Sequence, residues 1–312
     1  MVPDPHMITY PRMMALEARI RKQMKKLREL PQKRQPALTV LAFEPAPMYM
    51  LGKPDLRDTR NSPIYRWFLP GANHNVDNKQ AAILRSEQET YTWRGKSDPY
   101  DGLGVRSPRT LDKYTCIPDV VESPSRPKST YFGPGQIVVW PVIDVRKSEF
   151  RHLSASAIES WIGQLVTGCL RTLDGFRARR NIKFEPGSGI WVVSASFKEP
   201  RQIADIHIRL EDGIATFGLT LNFDVPVSGS SNVNPWGRME EAGLSFNPAT
   251  SMAWERGIWS NELQRDKEIA MRRYMDHISR TLFETMGIRV ELTADPENIL
   301  GDDWTSLLID DE

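Results

Sequence analysis

The stretch that most limits the fold of this chain is Thr130 to Val145, TYFGPGQIVVWPVIDV. A Gly-Pro-Gly turn leads through Gln136 into a run of Ile, Val and Trp. An apolar run of that length bounded by a turn reads as a buried strand. Pro134 fixes the turn, while Gly133 and Gly135 let the backbone bend sharply or let a ligand approach closely. Taken alone, such a turn is ordinary turn chemistry. The order of the segments around it carries more.

Residues 11 to 30 read as a helix. Met13, Leu16, Ile20, Met24 and Leu27 recur at helical spacing, and Arg19, Arg21, Lys22, Lys25 and Lys26 fill the other positions. Two readings stand: the first amphipathic helix of the fold, or a basic amphipathic transit peptide. Glu17 and Glu29 favour the first, because transit peptides are poor in acid. Leu38 to Phe43 reads as a short buried strand, broken by Pro45, Pro47 and Gly52. Asp55 to about Thr115 holds no period and is rich in turn formers, so an insertion is expected there. Ser154 to Leu173 reads as a helix with Ser154 as its N-cap. Cys169 lies on its apolar face, where a core role is expected over a reactive thiol. Gly189 to Val193 reads as a strand. Gln202 to Leu210 and Ile214 to Val225 read as a hairpin turning at Asp212-Gly213. On its first strand Ala204, Ile206, Ile208 and Leu210 share one face, and Ile203, Asp205, His207 and Arg209 the other. A last long helix is expected over 262 to 286, stopped by Gly287.

Composition narrows the function. The 312 residues suit one domain with a sizeable core, and 40% hydrophobic with 26% charged residues reads as globular. A net charge of +1 supplies no field that would draw nucleic acid. No apolar run reaches the ~18 residues of a membrane span, so no membrane partner is expected. Two cysteines, Cys116 and Cys169, point to a reducing compartment rather than a disulfide framework. Five histidines and two cysteines show no metal-ligand spacing, and neither a phosphate loop nor a G-x-S-x-G elbow occurs. No metal and no cofactor are expected.

The ordered set TYFGPGQ, VVWPVIDV, GIWV, QIADIHI, TFGLTLN and NPWG resembles the lipoyl(octanoyl) transferase family, which belongs with the biotin and lipoate protein ligases. That family shows RGG-x-x-TYHGPGQ, YPI-x-DL, G-x-WV, KIA-x-IG, THG-x-ALN and PCG in the same order. The resemblance runs from about Pro36 to about Leu244 without the insertion. It implies an α/β (α+β) fold, a mixed and mostly antiparallel sheet flanked by helices, in one domain spanning the chain. It also implies acyl transfer: octanoate passes from a carrier-protein thioester to a cysteine and then to a lysine of a lipoyl domain. Acyl carrier protein or a lipoyl domain is the partner implied, and a monomer is expected. The compartment is mitochondrial if the chain acts in lipoylation and cytoplasmic otherwise.

The resemblance fails where the chemistry lives. The cysteine of PCG falls on Trp236 and the lysine of KIA on Gln202. The histidine of TYHG falls on Phe132 and that of THG on Phe217. The last glycine of KIA-x-IG falls on His207. RGG falls on Ser125, Arg126 and Pro127. Substrate-binding positions implied by resemblance are Lys128, Ser129, Thr130, Tyr131, Phe132, Gly133, Gln136, Asp205, Ile206, His207, Gly218, Leu219 and Thr220. An indole has no nucleophilic atom, and an amide cannot supply the charge that makes a thiolate. Three readings follow: an inactive relative kept for binding or scaffolding, a transferase with a relocated nucleophile, or a cleft serving another small ligand. His207 reads as a hydrogen-bonded strand histidine before a catalyst. If the homology holds, the rings of Trp236, Phe132 and Phe217 should meet as a plug over the old centre.

Overall fold

A computed structural model describes residues 7–8, 10–27, 38–53, 118–122, 126–146, 154–172, 181–193, 199–229, 231, 234–256 and 267–284. The expected insertion between Asp55 and Thr115, together with Cys116, lies outside them. In chain order the elements are β1 (Met7–Ile8), α1 (Tyr10–Leu27), β2 (Leu38–Pro45), β3 (Met48–Leu51), β4 (Asp119–Glu122), β5 (Thr130–Phe132), β6 (Gln136–Asp144) and α2 (Ala155–Thr172). There follow β7 (Asn181–Glu185), β8 (Gly189–Val193), β9 (Arg201–Glu211), β10 (Ile214–Asn222), α3 (Pro235–Glu241), α4 (Met252–Arg256) and α5 (Lys267–Glu284).

Seven strands form one sheet in the order β1-β2-β6-β10-β9-β8-β7, and β4-β3-β5 form a second. All pairs are antiparallel except β1 with β2 and β3 with β4. The fold is therefore α/β with a mixed, mostly antiparallel sheet flanked by helices. Among the described residues no helix is long and apolar enough to cross a membrane.

β6 is an inner strand, between β2 and β10, and shows how the layers are built. Successive side chains point to opposite faces of a strand. Ile137, Val139 and Ile143 join Ile158, Ile162 and Val166 of α2 and Ile278 of α5 in the main core. Val138, Trp140 and Val142 face the other way and pack against Met13, Leu16, Ile20 and Met24 of α1. The amphipathic first helix is thus part of the fold, at the place its spacing predicts. Arg21 ties it to the β9–β10 hairpin through Glu211 at 2.9 Å.

The hairpin turns at Asp212 (φ 53°) and Gly213 (φ 70°), the paired positive φ values that a tight two-residue loop requires. Its apolar face behaves as expected at Ala204 and Ile206, which are buried, but Leu210 is 40% exposed. β9 runs past the edge of the core at that end. β3 begins three residues after Pro45, where the prolines read as a break. Its four residues are all buried in the second sheet.

Candidate functional site

A cavity of about 430 Å³ lies on the α1 face of the large sheet. Its roof is α1, through Tyr10, Met13, Met14 and Glu17. Its floor is Phe43 of β2, Val138 and Trp140 of β6, and Thr216 of β10. β3 closes one side with Met48 and Met50, beside Phe132 of β5. The face of β9 that alternation makes polar supplies His207 and Arg209, and Arg126 completes the wall. Register explains the grouping: His207 pairs with Gly218 and Arg209 with Thr216 across the ladder, so all four share the α1 face. A Cβ on Gly218 would sit 2.6 Å from the Trp140 ring. Only a residue without a side chain lets that indole lie flat on the floor.

The polar end is nearly neutral. Arg126 is ion-paired with Asp205 and its guanidinium stands 5.4 Å from the centre of the Phe132 ring. Arg209 pairs with Glu211 at 2.8 Å, and Glu17 with Arg21 at 3.4 Å. Burial, and next the positive charge of Arg126, push the His207 imidazole below its ordinary range, against the pull of Asp205. It is therefore uncharged near neutral pH. Burial likewise raises the Tyr10 phenol. Among the described residues, no group of three or more His, Cys, Asp or Glu is placed to hold a metal ion.

The GPGQ loop is a frame beside this cavity. Gln136 accepts from the Gly133 N–H at 2.8 Å, and its amide donates to the Tyr131 carbonyl at 3.1 Å and to Asn222 Oδ1 at 2.8 Å. Asn222 donates on to the Thr250 carbonyl at 3.0 Å. Gly135, at φ 91°, gives its N–H to Glu44 and its carbonyl to Phe223 and Asp224. A Cβ there would meet the Asp224 carbonyl at 2.5 Å.

The positions singled out in the sequence separate into three places. Phe132 and His207 line the cavity, with Asp205 held behind Arg126. Gly133 and Gln136 form the loop, with Ser129, whose Oγ accepts from Gly52 at 2.8 Å. Ile206 and Leu219 belong to the main core, Thr220 is buried and Lys128 is exposed. Gln202 stands apart: it donates to the Ser188 carbonyl at 2.6 Å and accepts from Asn247 at 3.3 Å. Trp236 is the second residue of α3, behind the cap Asn234, which accepts its N–H at 3.1 Å.

The expected plug does not form. Trp236 packs edge-on against Tyr131, with centroids 5.9 Å apart at 69°, in a cluster with Tyr49, Val225, Met239 and Ala242. Phe132 belongs to another cluster, with Met48 and Met50. Neighbours on a strand point to opposite faces, so β5 turns Tyr131 toward Trp236 and Phe132 toward the cavity. The side chain of Phe217 lies outside the described residues. Cys169 is buried on α2, and burial raises its thiol above its ordinary range despite a hydrogen bond from Thr281.

Three curated octanoyltransferases align with this sequence. That of Nitrobacter winogradskyi is 29% identical over 173 residues, 54% of this chain and 70% of the relative. That of Desulfotalea psychrophila is 29% identical over 45% of this chain and 55% of its own. That of Renibacterium salmoninarum is 28% identical over 42% and 50%. The chain is an octanoyltransferase homologue. It spans about half the length of the latter two relatives. No family model matches it. A solved lipoate protein ligase of Thermoplasma acidophilum aligns with 98% of the homologue and 96% of its own chain, at 10% identity and a TM-score of 0.46.

Residues of this octanoyltransferase homologue that composition could not single out are Met13, Met14, Met48 and Met50. The first two carry the same helical signal as core positions, and the last two sit in a strand with no polar alternation. Arg126 could have been found: with His207 it puts a long polar side chain where the resemblance places glycine.

Proposed function

We propose that this octanoyltransferase-like protein of lipoate metabolism binds an acyl group in the α1 cavity without taking it covalently. One observation carries the reading. The described cavity wall holds neither a cysteine nor a lysine, while Trp236 and Gln202, at the family's nucleophile and cation, are engaged elsewhere. The cavity has what acyl binding needs: a largely apolar floor, a flexible apolar side and polar groups along the β9 wall. Its head groups are matched in charge, which suits an uncharged thioester or amide carbonyl. His207 and Tyr10 are neutral there and free in kind to donate a hydrogen bond to such an oxygen. Acyl carrier protein or a lipoyl domain is the partner that fits, and the chain acts as a binding or scaffold protein toward it. Cys169, enclosed and protonated, is no substitute nucleophile.

The test has two arms. Incubated with octanoyl-carrier protein, the chain should keep its unmodified intact mass, while titration with octanoyl-pantetheine should quench the emission of Trp140 on the cavity floor. A hydroxylamine-labile octanoyl adduct on Cys116 or Cys169 would instead make it a transferase with a relocated nucleophile. No binding at all would remove the reading.

A further inference from the structure

The size of the cavity and the make-up of its side wall bear on chain length. An octanoyl group has nine heavy atoms, and at about 30 Å³ each, the share of a similarly sized water in the liquid, it fills roughly 270 Å³. The cavity holds about 430 Å³. The remainder is space for about five more methylenes on the same scale. The space is bounded by four methionines, two from α1 and two from β3. Unbranched thioether side chains rearrange at little cost and follow the outline of what they enclose. Met13, Met48 and Met50 are buried against Phe43, Val138 and Phe132, so they form one continuous apolar lining rather than scattered surface groups.

We propose that the cavity takes acyl chains longer than octanoyl, with an optimum near dodecanoyl to tetradecanoyl. This rests on the acyl-binding reading above and adds a substrate class to it. The carbonyl lies at the Arg126–His207 end, and the tail runs between α1 and β6 along the methionines.

Calorimetric titration of the full chain with S-acyl pantetheines from hexanoyl to hexadecanoyl tests this. Affinity should rise roughly fourfold per added methylene beyond octanoyl, the yield of burying one methylene, and level off near tetradecanoyl. A maximum at octanoyl with weaker dodecanoyl binding overturns the length assignment and leaves acyl binding standing. No binding at any length overturns both. Val138→Trp, which fills the floor, should move the optimum toward shorter chains. An optimum that stays in place while the variant remains folded overturns the assignment to this cavity.

Discussion

Trp236→Ala separates the two roles open to the indole, structural anchor and ligand contact. Trp236 is 8% exposed, so nearly the whole side chain is removed from water. A buried aromatic removes about 150–250 Å² from water, which at about 25 cal/mol/Å² gives roughly 4–6 kcal/mol as an upper bound. Truncations of buried Phe or Trp fall at about 3–5 kcal/mol once partial collapse of the site is included. The edge-on contact with Tyr131 lies within that figure, and Tyr49, whose tilted ring has its centroid 5.3 Å from that of Tyr131, transmits the loss to β3. At about 2.1 cal/mol/K per residue, a chain of 312 residues shifts by about 1.5 °C per kcal/mol, so the melting midpoint should fall by roughly 5–8 °C. Trp236→Phe, which keeps a ring against Tyr131, should lose much less. Because the indole does not line the cavity, acyl affinity measured well below the midpoint should stay within about threefold of wild type, less than 1 kcal/mol. Differential scanning fluorimetry and calorimetric titration read the two quantities. A midpoint shift under about 2 °C would mean that the indole is no anchor, and a large affinity loss at full folding would put it in the ligand site. Either result refutes the reasoning.

Gln136→Ala strips partners from the Gly133 N–H and Asn222 Oδ1, both buried, and should cost about 2–4 kcal/mol in urea unfolding; an unchanged midpoint would show that the loop holds without its amide. His207 has a folded pKa below its unfolded value, so the unfolded chain binds the extra proton first and stability falls as pH drops through the ordinary histidine range. His207→Gln should flatten that fall between pH about 7 and 5, and identical pH profiles for the two proteins would contradict the buried neutral imidazole.

The hairpin and the helices were legible because each carries a complete local signal: a period, a turn with a mechanism and a stop. α2 begins one residue after the Ser154 cap, and β8 has the bounds its composition gives. β3 had no such signal. Met48 to Leu51 is buried on both sides, so no alternation marks it, and the prolines ahead of it look like a terminator. β7 does alternate, with Ile182 and Phe184 between Asn181, Lys183 and Glu185, but five residues after the basic Arg177 to Arg180 carry little weight. The cavity was half legible. The polar face of β9 follows from counting residues in twos. That α1 divides its apolar stripe between packing Val142 and roofing a space is decided by the distance between two sheets, which no local pattern encodes.

The plug failed for a reason that reaches beyond these rings. The plug is expected because the resemblance places all three rings around one centre, yet on a strand two adjacent residues are as far apart in direction as side chains can be. Tyr131 and Phe132 serve different clusters. Trp236 is part of a core. Phe132, Arg126 and His207 stand in the wall of the cavity. Among the described residues, the side chains of Gln136 and Asn222 bond each other and the backbone around them. Trp236 touches this loop through the ring of Tyr131, whose carbonyl the Gln136 amide holds, while Asn222 reaches the Gln202 carbonyl at 3.4 Å. The described wall of the cavity is built by α1, β2, β3 and β6 with Arg126, Phe132 and His207, and neither Trp236 nor Gln202 stands in it.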